Sequence, residues 1–127
     1  MKIQKIAIAL SLLVSTVGFA AGEGHSHGNA KPIHGGVVAE VKDIEYEFLA
    51  KADVLQLYLR DHGKPVNVST ATAKVTMLSG SEKQEVELKP VGEKLEATGK
   101  FKALAGAKVV AQVSNNAKVA TVRFTLK

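Results

Sequence analysis

From Gly35 onward the chain is built of short alternations of apolar and polar residues, and this period of two restricts its fold more than any other feature. Glu45 and Glu47 separate Ile44, Tyr46 and Phe48, while Gln56 and Tyr58 separate Leu55, Leu57 and Leu59. Successive side chains of a strand point to opposite faces, so each such segment buries one face and turns the other to water. On that reasoning Glu45 and Glu47, like Glu85 and Glu87, belong to a solvated surface. Similar signals occur at Val37–Val41, at Val75 and Met77, at Val86 and Leu88, at Val109, Ala111 and Val113, and at Ala120, Val122, Phe124 and Leu126. Met77 falls on an inward face beside Val75, which makes it a core residue. Turn residues punctuate the series at Asp61, His62, Gly63, Lys64 and Pro65, at Ser79, Gly80 and Ser81, and at Ser114, Asn115 and Asn116. No stretch of this region keeps a helical period. The expected fold is all-β: a small antiparallel β-sandwich of about seven strands, immunoglobulin-like in architecture, with a small closed barrel as the alternative.

The segment ahead of this region has a different character. Lys2 and Lys5 precede an apolar stretch over residues 6–19, and small residues follow at Gly18, Ala20, Ala21 and Gly22. A positive start, a short apolar run and a small-residue cleavage site describe a secretory signal peptide, assigned to residues 1–20. The run is short for a span of about 20 residues and no lysine-rich stop follows, so a membrane anchor is the weaker reading. Cleavage after Ala20 or after Gly22 satisfies the small-residue rule, and the first is preferred. The chain has no cysteine, so neither lipid attachment nor disulfides are open to it. About 105 mature residues must hold together by their core alone. Residues 21–35, rich in Gly and His without apolar periodicity, read as a flexible arm, and residues 36–127 as the β domain.

Composition and motifs exclude several functions. Loss of Lys2 and Lys5 with the signal takes the formal charge from +5 to +3, and the remaining excess is spread along the chain. With no basic cluster and few aromatic residues to stack bases, nucleic acid is not an expected partner. The low aromatic content also argues against an outer-membrane barrel with its aromatic girdles. There is no Gly-x-Ser-x-Gly elbow, no phosphate-cradling glycine loop and no HExxH pair. The protein is read as a non-enzyme.

The histidines carry the chemical signal. Three of the four lie within ten residues, at His25, His27 and His34, directly ahead of the strands. Imidazole nitrogen suits copper, zinc, nickel and iron, and glycines around His25 and His27 let both rings reach one divalent ion, expected to be copper, zinc, nickel or cobalt. His34 supplies a third nitrogen, with Glu23 and His62 as further candidates. Cleavage after Gly22 would create a terminus reading Glu23, Gly24, His25, whose amine, two amides and imidazole suit Cu(II) or Ni(II). The competing view is a soluble spacer whose histidines do nothing specific. His62, in the turn after Asp61, is expected at the opposite end of the sandwich from His34 and reads better as a turn residue.

His34-Gly35-Gly36-Val37-Val38, Tyr46-Glu47-Phe48 and the run from Leu57 through Asp61-His62-Gly63-Lys64-Pro65 to Val66 resemble small bacterial periplasmic domains associated with heavy-metal resistance. Similar modules accompany the adaptor proteins of cation efflux pumps. The resemblance implies a periplasmic β-sandwich that captures or passes metal ions. It places His34 as the His-Gly-Gly histidine and His25 and His27 as arm ligands, with an efflux component as a partner. The chain lacks the coiled-coil hairpin, lipoyl and barrel parts of the adaptors, which points to a free-standing accessory. The function expected is therefore capture of a transition-metal ion, with affinity falling as protonation removes imidazole from ligation. The rival is a protein-interaction module that pairs through an open strand edge.

Overall fold

The computed structural model describes residues 31–127. The expected signal peptide (residues 1–20), Glu23, His25 and His27 lie outside those residues. The alternating segments become strands: β1 (Val37–Val41), β2 (Ile44–Ala50), β3 (Val54–Asp61), β4 (Lys64–Pro65), β5 (Ala71–Ser79), β6 (Glu82–Val91), β7 (Lys94–Thr98), β8 (Lys108–Asn115) and β9 (Lys118–Thr125). No helix occurs among the described residues.

Two-residue turns set most of the pairings. Lys42 and Asp43 join β1 to β2, His62 and Gly63 join β3 to β4, and Asn116 and Ala117 join β8 to β9. All six residues have positive φ, the type I′ geometry whose twist matches that of the flanking strands. Gly80 and Gly92 open the β5–β6 and β6–β7 turns, also at positive φ.

The hydrogen-bonded path runs β1-β2-β3-β7-β6-β5-β8-β9, with β4 beside β3, and every pairing is antiparallel. Strand β6 belongs to both layers. Its residues up to Leu88 pair with β5, whereas residues 89–91 pair with β7. The two layers pack face to face, with the rings of Phe48 on β2 and Phe124 on β9 5.4 Å apart. Strands β1 and β9 also lie against each other, so the path nearly closes into a barrel. The fold is thus the expected all-β antiparallel one, immunoglobulin-like in having two packed antiparallel layers.

The core combines Phe48, Leu55, Leu57, Met77, Leu88 and Leu95, all fully buried, with smaller residues of β5, β8 and β9. Burial of each such large side chain contributes about 1.5–3 kcal/mol, which is how a chain without disulfides can hold its layers together. Among the described residues the strand count is nine rather than about seven. Strand β4 has two residues, too few for a period, and in β7 only Leu95 is buried. Neither shows an alternation of large apolar residues.

Candidate functional site

The outer face of β2 and β3 departs from what alternation implies. Register pairs Glu45 with Arg60 and Glu47 with Tyr58, so these four side chains share a face, opposite Tyr46, Phe48, Leu57 and Leu59. Yet Glu47 is fully buried and Arg60 is 5% exposed. The cover comes from residues 31–36. The backbone N–H groups of Ile33, His34 and Gly36 donate to the Glu47 carboxylate at 2.9, 2.7 and 2.9 Å. Arg60 donates to the same carboxylate at 2.8 Å, to Glu45 at 3.2 Å and to the Lys31 carbonyl at 3.1 Å. The expectation of a solvated Glu47 is overturned, because a non-strand segment lies on what would have been its water-facing side. By the same bonds residues 31–35, placed in the arm by composition, are fastened to the sheet.

The His-Gly-Gly run makes this possible. Gly35 takes a φ of 86°, a left-handed conformation that side chains disfavour. A Cβ on Gly36 would collide with the Phe48 carbonyl oxygen and the Leu49 side chain. The two glycines turn the chain and bring its backbone N–H groups close to Glu47.

Electrostatics follow from this geometry. Burial on its own would raise the Glu47 carboxyl. The Arg60 guanidinium and the three backbone N–H donors outweigh it and hold the group at about 2. His34 lies over this anion. Its ring stacks on Tyr58 with centroids 3.6 Å apart and planes 10° from parallel, and its Nδ1 is 3.2 Å from Glu47 Oε1. The side chain remains 37% exposed.

His62 is placed differently. It occupies the β3–β4 turn, its side chain is 80% exposed, and its Nδ1 lies 2.6 Å from Asp61. Asp61 raises its pKa by hydrogen bond and charge, with smaller contributions of the same sign from Asp43 and Glu40. Strand β1 runs from the His34 end to the His62 end, about 17 Å at 3.4 Å per residue. The structure does not bring the two histidines together. A cavity of about 780 Å³ opens at the His62 end, lined by Tyr46, Leu59, Val113 and Asn115 among others. Burial pushes the Tyr46 hydroxyl pKa up.

Among the described residues no three His, Asp or Glu side chains converge into a metal site. Of the candidate ligands, His34 and His62 are described, while Glu23, His25 and His27 lie outside. What sequence reasoning missed is Glu47 with its Arg60 and Tyr58 neighbours. The paired glycines after His34 were a visible sign of close backbone approach, but nothing in the sequence named the group approached. Compared with protein families, curated proteins and solved structures, the chain matches none.

Proposed function

We propose that the protein is exported and binds a divalent transition-metal ion in the periplasm, through His34 acting with His25 and His27. One observation carries this reading. His34 is held in place by Tyr58 and Glu47 yet stays partly open to solvent, at the foot of the segment that bears the other two histidines. Holding a ligand ring in advance lowers the entropy lost on coordination, whereas a mere spacer gains nothing from it. His27 is four residues upstream of Lys31, whose carbonyl is held by Arg60, and a chain of that length reaches up to about 14 Å, which lets the arm imidazoles approach the ring of His34. The suited ions are those that favour imidazole nitrogen: copper, zinc, nickel or cobalt.

The role is that of a non-enzymatic carrier or accessory, which fits the resemblance to heavy-metal-resistance domains and makes an efflux component its natural partner.

Calorimetric titration of the exported full chain with Cu(II), Zn(II), Ni(II) and Co(II) tests the proposal, alongside His34→Ala and the His25, His27, His34 triple alanine variant. Micromolar or tighter binding, weakened in the single variant and abolished in the triple one, is the expected result. Equal binding by wild type and triple variant, or none by either, would overturn it. His62→Ala serves as the control expected to leave affinity unchanged, and the N-terminal mass of the exported protein locates the cleavage.

A further inference from the structure

Glu47 meets His34 twice, accepting its backbone N–H at Oε2 and facing its ring Nδ1 at Oε1. Both oxygens are already committed. Oε1 also accepts from Ile33 and Arg60, and Oε2 also accepts from Gly36. With donors on each oxygen and no solvent exposure, the carboxylate has no free position from which to bind an ion itself. It can act only on the ring beside it.

An ionised carboxylate accepts hydrogen bonds and donates none. The Nδ1 contact is therefore favourable only when Nδ1 carries the hydrogen. In a neutral imidazole the lone pair then sits on Nε2, which a metal ion can use. Stacking on Tyr58 restrains the ring plane, and the backbone bond to Oε2 restrains the residue that carries the ring. These restraints leave the tautomer and the direction of Nε2 little freedom. A carboxylate behind a ligating histidine is also a recurrent way to orient the ring and raise its basicity.

Building on the metal-binding reading, we propose that Glu47 is the positioning residue of the site. It holds His34 as the Nδ1–H tautomer so that the ion is taken by Nε2, and it is not itself a ligand. His62 has a similar Nδ1 contact to Asp61, but on an exposed turn with no stacked ring and no buried anion. It lacks the restraints that make His34 a prepared ligand.

The tautomer can be read directly on the metal-free full chain. A long-range proton–nitrogen correlation spectrum is recorded in mildly alkaline buffer, where a free imidazole is neutral. The expected pattern for His34 is a protonated Nδ1 and a bare Nε2, and added Zn(II) should move the Nε2 resonance. Glu47→Gln, checked for folding by its backbone amide spectrum, should lose the tautomer preference. Its Zn(II) affinity should fall about 10–100-fold with stoichiometry unchanged.

A bare Nδ1 in the wild type, Zn(II) on Nδ1, or undiminished affinity in a folded Glu47→Gln protein would each overturn the proposal. Should that variant fail to fold, the wild-type spectra alone decide. A wild type showing the expected tautomer that takes up no Zn(II), Cu(II), Ni(II) or Co(II) would overturn the metal reading and the ion half of this proposal, while leaving Glu47 as the residue that sets the ring.

Discussion

Glu47 and Glu87 occupy equivalent-looking places in the sequence, each an acid between apolar residues of an antiparallel strand, and the fold treats them oppositely. Glu87 on β6 faces Lys74 on β5 and stays exposed. Glu47 on β2 is sealed beneath residues 31–36 and receives an arginine and three backbone N–H groups. Alternation decides which face of a sheet a side chain occupies. Whether that face meets water is decided by whatever lies over it, here a segment that is not a strand. Among the described residues nothing covers Glu87 on the β5–β6 face, and its charged neighbours there are ordinary surface. The β2–β3 face became a small polar interior, with the partly open ring of His34 above it.

The largest expected effect separates these two faces directly. Glu47→Ala strands a buried guanidinium and three N–H donors, and breaking a buried pair in this way costs about 3–5 kcal/mol. Glu87→Ala removes a solvated side chain and should change stability by no more than about 0.5 kcal/mol. Urea denaturation of both variants measures the contrast. Equal midpoints for the two would mean that the cover over Glu47 contributes nothing to stability.

That contrast also marks how far the sequence could be read. Tyr46, Phe48, Leu57 and Leu59 announced their inward face through spacing alone, and Gly80 and Asn116 announced their hairpins because positive φ restricts residue choice. Leu95 stood alone in β7, so no period could form around it. His34 was legible as a candidate through its company with His25 and His27. Glu47 was not, because its burial depends on the register of β2 against β3 and on residues 31–36 folding over both. Those are tertiary facts that no local pattern carries.

The second effect is a pH dependence belonging to one face only. Unfolded, the Glu47 carboxyl titrates near its ordinary 4.5; folded, it is held at about 2. A depressed carboxyl stabilises the folded state fully above the unfolded value, and the stabilisation drains away as pH falls from about 4.5 towards 2. The difference corresponds to roughly 3 kcal/mol at 1.36 kcal/mol per unit. Denaturation of the metal-free protein across this window should show the loss in the wild type and in Glu87→Gln, but not in Glu47→Gln. A Glu47→Gln protein whose acid profile paralleled the wild type would place the titrating group elsewhere.

The smallest effect compares turns of one geometry on the two layers. The β1–β2 turn beside the covered face has Asp43 at a φ of 70°, and the β8–β9 turn has Ala117 at 68°. A left-handed conformation costs an ordinary residue about 1–2 kcal/mol, and less for Asp, whose short polar side chain can bond locally. Glycine removes that strain but gives back about 0.4–1 kcal/mol through the freedom of the unfolded chain. Ala117→Gly should therefore stabilise the protein by roughly 0.5–1 kcal/mol, raising the denaturation midpoint, while Asp43→Gly should be close to neutral. The reverse order would mean that the covered layer strains its turn more than the open layer does. Its stability would then include a conformational cost that the buried Glu47 and Arg60 pair offsets.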